Sequence, residues 1–175
     1  MRTILNIEIK AKCSNLNRVR KVLEIQGADF KGIDHQVDTY FKVPHGRLKL
    51  RQGQIENSLI YYERENLHGP KRSQVVLYET NINSVSSLKE ILSKILGVLT
   101  VVDKKREIYF IGNIKLHIDK VKQLGSFVEI EVRKVKDIDR DELFEQCQFY
   151  LKLLDIPNQD LIPLSYSDLM MKIQS

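Results

Sequence analysis

The feature that most constrains this chain is the spacing of like charges two residues apart on strand-like segments. In Arg47-Leu48-Lys49-Leu50-Arg51, a two-residue period puts Arg47, Lys49 and Arg51 on one face and the leucines behind them. Phe127-Val128-Glu129-Ile130-Glu131-Val132 does the same with Glu129 and Glu131. Glu8 stands beside Lys10, Lys104 shares a face with Arg106, and His117 with Asp119. Like charges so placed repel, and an isolated sheet carries them poorly unless a counter-ion or an opposing strand compensates. Two arrangements satisfy that constraint. Taken singly, each strand reads as half-buried with its polar side in water. Taken together, the charged faces can turn inward and line a lumen with cationic and anionic sectors. Basic groups would there hold phosphate oxygens, arginine in bidentate fashion, and carboxylates would hold Mg²⁺ or Mn²⁺.

The order of segments bears on that choice. Strand periodicity is expected at Leu5 to Lys12, His35 to Phe41, Arg47 to Arg51, Ser58 to Glu65, Ser73 to Thr80, Thr100 to Phe110, Ile114 to Val121 and Phe127 to Lys134. Turns follow at Pro44-His45-Gly46, Gly112-Asn113 and Leu124-Gly125-Ser126, with a loop at Leu67 to Pro70. Helical spacing appears at about Asn15 to Gly27, Ser84 to Leu96, Asp139 to Leu154 and Ser165 to Lys172. About eight strands joined by short hairpins, with helices outside, make an α+β protein. A closed or nearly closed antiparallel β barrel removes the exposed edges.

The 175 residues suit a single domain, 1–175, with no internal repeat or linker. No apolar run is long enough to span a bilayer, and residues 1–6 lack the stretch of a secretory signal, so a cytoplasmic protein with no membrane role is expected. Cys13 and Cys147 make no disulfide framework and read as free thiols. The net charge of +5 favours an anionic partner. The interleaved acidic strands argue against a nucleic-acid surface on the exterior. The four histidines, His35, His45, His68 and His117, lack zinc-ligand spacing, and there is no glycine-rich phosphate loop. Tyr40, Tyr61 and Tyr62 are expected to pack in the sheet or core. Oligomeric state stays open, a homodimer being unsurprising at this size.

In sequence order these segments resemble the CYTH family of triphosphate tunnel metalloenzymes, in its class IV adenylate cyclase-like branch. Asn6-Ile7-Glu8-Ile9-Lys10 is similar to the family's opening Glu-x-Glu-x-Lys strand. His35 to Phe41, Gly46 to Arg51, Ile60 to Arg64, Gly69-Pro70-Lys71 and Lys104 to Arg106 resemble its succeeding motifs. His117 to Val121 with Leu124 to Glu131, and then Ser165 to Leu169, resemble its closing strands and terminal helix.

The resemblance implies Glu8, Glu129 and Glu131 as ligands of Mg²⁺ or Mn²⁺. It implies Lys10, Arg47, Lys49, Arg51, Arg64, Lys71, Lys104 and Arg106 as triphosphate contacts, and Lys10 and Asp119 as catalytic. The implied partner is a small triphosphate: ATP, converted to cyclic AMP and pyrophosphate, or tripolyphosphate, a nucleoside triphosphate or thiamine triphosphate, hydrolysed. A non-catalytic triphosphate binder is the third reading. Asn6 departs from the pattern, since a neutral amide stands at the first acidic position and adds no charge to hold a second cation.

Overall fold

The alternation closes into a barrel. The computed structural model describes all residues except 1, 65–68, 82, 136–138 and 175, and the side chains of 2–5 and 140 are likewise left aside. The loop expected at 67–70 lies partly outside the described residues, as do Glu65, His68 and Lys136.

The strands are β1 (Arg2–Lys12), β2 (Asp29–Phe41), β3 (Arg47–Gln52), β4 (Ser58–Arg64), β5 (Lys71–Glu79), β6 (Val98–Ile111), β7 (Ile114–Val121) and β8 (Gly125–Arg133). The helices are α1 (Leu16–Ile25), α2 (Val85–Leu96), α3 (Arg140–Leu153) and α4 (Tyr166–Gln174). All neighbours in the closed order β1-β5-β4-β3-β2-β6-β7-β8 are antiparallel. No described helix is long and apolar enough to cross a membrane.

Seven of the strand segments begin or end within a few residues of the positions read from the sequence. β2 is the larger difference, because it begins at Asp29 rather than His35. A register shift between Phe30 and Gly32 explains why the alternation was lost there. Gly32 adopts φ 126, a left-handed value that side-chain-bearing residues avoid.

The apolar faces point outward and are covered by helices. Ile7, Ile9 and Ala11 of β1, Leu116 of β7 and Ile130 of β8 pack with Leu16, Val19 and Leu23 of α1 and with Leu143, Cys147 and Leu151 of α3. Asn15 caps α1 by accepting from the Arg18 N–H at 3.1 Å. Helix α2 covers Phe41 and Leu50 through Val85, Leu88, Leu92 and Leu96. Cys147 is buried in the outer core and Cys13 packs at its margin; burial pushes the Cys147 thiol up to about 12. Both cysteines are free thiols.

Helix α4 does something different. Its Tyr166 and Met170 join Tyr40, Tyr62, Val102 and Phe127 in a cluster at one end of the barrel, where the β2–β3 and β7–β8 connections also lie. The opposite end holds the β3–β4 and β6–β7 connections. Truncating the fully covered Leu143 (1 % exposed) to alanine is expected to cost ~2–5 kcal/mol, read as a lower urea midpoint at unchanged slope.

Candidate functional site

Because apolar residues face out, the alternate positions face in. They surround a cavity of about 520 Å³. Eight cations and five carboxylates line it, and two further carboxylates, Asp38 and Asp119, lie behind the cations. The charges are interleaved in pairs, rather than divided into the cationic and anionic sectors expected from the sequence.

Asp38, 1 % exposed, is the hub of one cluster. Its carboxylate accepts from Arg51 Nε and Nη2, both at 2.9 Å, from Lys104 Nζ at 2.7 Å and from Lys49 Nζ at 3.0 Å. Burial opposes its ionisation, yet Arg51, Lys104 and Lys49 hold it well below the usual carboxylate range. Lys104 shows the converse: burial, only partly offset by Asp38, pushes its amine down to about 7.

Arg106 organises the second cluster. Its Nε and Nη2 donate to Asp119 at 2.7 and 2.5 Å, and Nη2 also reaches Glu129 at 2.5 Å. Asp119 accepts from the Tyr166 hydroxyl at 2.8 Å as well. Glu129 pairs with Lys10 at 3.0 Å, and Lys10 lies 3.7 Å over the Tyr166 ring. Burial opposes ionisation of Glu129, but Arg106 and Lys10 hold it well below its usual range. His117 is buried beside it, Nδ1 to Oε2 3.4 Å, with no hydrogen-bond partner at either ring nitrogen among the described residues. Burial, then Arg106 and Lys115, push the imidazole down to about 4, so it is neutral at pH 7.

The wall made by β1 and β8 carries the acids. Glu8 is the register partner of Glu131, and Lys10 of Glu129. Arg64 donates to Glu8 at 2.5 Å. Asn6 donates to Glu131 at 2.8 Å, and Arg133 to the same oxygen at 3.1 Å.

These oxygens fit a hard divalent cation in chemistry. The Asn6 Oδ1 is buried with no partner among the described residues, which adds one orphaned oxygen to the three carboxylates. The cage is not ready-made: among the described residues no three acidic, histidine or cysteine side chains stand at metal-holding separation. Each carboxylate must first loosen an ion pair.

Of the residues singled out in the sequence, Glu8, Lys10, Lys49, Arg51, Arg64, Lys104, Arg106, Glu129 and Glu131 line the one cavity. Asp119, Arg47 and Lys71 stand off its wall. Asp119 is enclosed by Arg106 and Tyr166, Arg47 pairs with Asp168 of α4 at 2.9 Å, and Lys71 donates to the Ile162 carbonyl at 3.0 Å. Tyr40 and Tyr62 pack in the inner cluster and also border the cavity, while Tyr61 faces outward and donates to Glu63.

The sequence reading passed over Glu56, Lys115, Arg133 and Tyr166, which also line the cavity. Lys115 continues the inward row of His117 and Asp119 by one more alternate position, a signal that was available. Glu56 lies in a loop, where no period operates.

A family model described as the CYTH domain matches residues 5–166. The chain belongs to the CYTH family. It is 28% identical over 176 residues to a Methanocaldococcus jannaschii protein named "Putative adenylate cyclase", covering 95% of this chain and 98% of that protein. Its CYTH barrel is similar to the PH1012 protein of Pyrococcus horikoshii OT3, with a TM-score of 0.80 and 24% identity over 94% of this chain and 98% of that one. It is also similar to a Vibrio parahaemolyticus protein described as "a putative adenylate cyclase", with a TM-score of 0.74 and 16% identity over 95% and 98% of the two chains. Those two structural likenesses share the fold.

Two outcomes follow from the pairing inside the CYTH barrel. Arg106→Ala leaves Asp119 buried and uncompensated, so a loss of ~3–5 kcal/mol in chemical denaturation is expected. Lys104 should be partly neutral above pH 7, and a bound polyanion favours its charged form. At pH 8, tripolyphosphate binding to the wild type should therefore take up about one proton more than binding to Lys104→Met. The excess should vanish at pH 6, and calorimetry in buffers of different ionisation enthalpy reads it directly.

Proposed function

We propose that the barrel binds a nucleoside triphosphate with a divalent cation, Mg²⁺ or Mn²⁺, and acts as a class IV adenylate cyclase-like enzyme on ATP. The observation that carries this reading is the composition of the cavity wall. Cations from β1, β3, β4 and β6 are set around the lumen, whereas Ile60, Val75 and Leu77 of β4 and β5 form an apolar stretch that phosphates do not need. A volume of about 520 Å³ falls within the range of small-molecule sites and leaves room for an organic group beside a triphosphate. The names borne by the Methanocaldococcus and Vibrio proteins agree with it.

In this reading Lys10, Lys49, Arg51, Arg64, Lys104 and Arg106 grip the phosphate oxygens. They can do so while staying paired, because an ammonium has three N–H donors and a guanidinium five. Lys104 and Lys49 each spend one donor on Asp38. Glu8, Glu129 and Glu131 would hold the cation, with Asn6 Oδ1 beside them; when bound it neutralises phosphate charge and helps orient the reacting oxygen. The ribose 3′-hydroxyl oxygen attacks the α-phosphorus and gives its proton to solvent water, the bond from the α-phosphorus to the bridging oxygen breaks, and pyrophosphate leaves. Lys10 and Arg106 stabilise the charge that develops on the leaving group. Asp119 is a positioning residue that fixes Arg106 and the Tyr166 hydroxyl. Arg47 and Lys71 tie residues 162–168 to the barrel and reach the ligand only if that segment shifts.

A hydrolase is favoured by one specific feature: neutral His117, with Nδ1 turned towards Glu129 and Nε2 without a hydrogen-bond partner among the described residues, is suited to orient a water molecule. The same cavity would then release orthophosphate from tripolyphosphate, a nucleoside triphosphate or thiamine triphosphate.

Incubation with ATP, thiamine triphosphate and tripolyphosphate, with Mg²⁺ or Mn²⁺, separates the readings. Cyclic AMP and pyrophosphate from ATP are expected. Orthophosphate release would replace the cyclase with the hydrolase, and tight binding without turnover would leave a binder. Glu129→Gln should lower metal-dependent turnover at least ~100-fold with the fold retained. Near-normal turnover in that variant would remove the β1–β8 wall as the metal site.

A further inference from the structure

Glu56 is a carboxylate in the cavity that neither the metal wall nor the phosphate row accounts for. It sits in the 53–57 loop between β3 and β4, at the barrel end opposite α4. Asp34, fully buried, holds that loop by accepting from the backbone N–H groups of Gln54 at 2.6 Å, Ile55 at 3.0 Å and Glu56 at 3.0 Å. Gly53 fits closely against the same carboxylate: a Cβ there would stand 2.6 Å from Asp34 Oδ2. The Asn57 side chain closes the loop, accepting from Gly53 N at 3.1 Å and donating to Gly53 O at 2.8 Å. The loop is thus fixed independently of the Glu56 side chain.

That side chain points into the lumen. It accepts from Arg51 Nη1 at 2.9 Å, from Gln36 Nε2 at 3.0 Å and from Lys115 Nζ. These donors come from β3, β2 and β7, and in the closed order β2 and β6 lie between β3 and β7. One carboxylate therefore bridges the lumen and is surrounded by donors much as a phosphate oxygen would be.

We propose that Glu56 is an internal end stop, which occupies Lys115 and one edge of Arg51 so that the cavity accepts a triphosphate and turns away a chain one phosphate longer. The proposal rests on the reading that the lumen holds a polyphosphate. A tetraphosphate would have to displace Glu56 or place its extra charge against it, whereas a triphosphate ends before it. Specificity of this kind comes from an unfavourable contact with the wrong ligand.

The test is calorimetric binding of inorganic tripolyphosphate and tetrapolyphosphate to the full chain. The wild type should favour tripolyphosphate by about tenfold or more, and Glu56→Gln should narrow that ratio at least ~5-fold by gaining tetrapolyphosphate affinity. Glu56→Asp, which keeps the charge but is too short to hold both Arg51 and Lys115, should relax the ratio in the same direction. Adding Lys115→Gln to Glu56→Gln should take the gain away, since the freed amine is its source. An equal rise for both ligands, or an unchanged ratio in both Glu56 variants, would overturn the end stop. Tight tripolyphosphate binding with an unchanged ratio overturns the end stop alone. Failure of the wild type to bind either polyphosphate would overturn the polyphosphate reading and the stop with it.

Discussion

Asp38 holds Lys49, Arg51 and Lys104 at once, and a barrel lined by cations depends on contacts of this kind. Closing the sheet with basic residues inside brings like charges from neighbouring strands into a space of low dielectric, where their repulsion is strongest. The chain answers with carboxylates on the same inner rows: Asp38 on β2, Asp119 on β7, Glu129 on β8 and Glu8 on β1. Each is close enough to hold a cation in place while leaving part of its hydrogen-bonding capacity for a ligand. The cationic lining is therefore ordered and nearly neutral before any anion enters.

Pairing also restricts what mutation can report. Arg106 both faces the cavity and neutralises Asp119, so its loss removes a cation from the lumen and strands a buried charge together. Residues such as Glu8, 25 % exposed, sit at the softer margin, where an ion pair can open without undermining the barrel. Glu8 belongs to the β1–β8 wall, and the orphaned Asn6 oxygen lies on that same wall.

Much of this was legible because strand period and charge coincide. Arg47 to Arg51, Lys104 with Arg106, and Glu129 with Glu131 each announce a face two residues at a time; their recurrence allowed an inward arrangement, and the family resemblance chose it. The outer face was legible for the same reason, since Leu16, Val19 and Leu23 repeat at helical spacing. Three features were not. Pairing across the lumen, as between Arg106 and Glu129, depends on register and closure, which no local window contains. Glu56 acts from a loop whose shape is set by Asp34, about twenty residues earlier in the chain. Tyr166 joins the wall only because α4 docks on the barrel end, and its helical pattern speaks of packing alone. The long start of β2 was hidden by the shift at Gly32.

That docking gives the site an order in time. Ser165 and Tyr166 follow all eight strands in the chain, yet they border the cavity, and Tyr166 meets both Lys10 from the first strand and Asp119 from the seventh. During synthesis from the N-terminus, the barrel can pair its strands while this end is still bare. The inner cations then face solvent on one side until residues 161–168 emerge, when Ile162 N–H bonds to the Lys10 carbonyl and Asp168 meets Arg47. A nascent chain stalled just after β8 would have every strand of the barrel but would lack the residues that finish one end of its pocket.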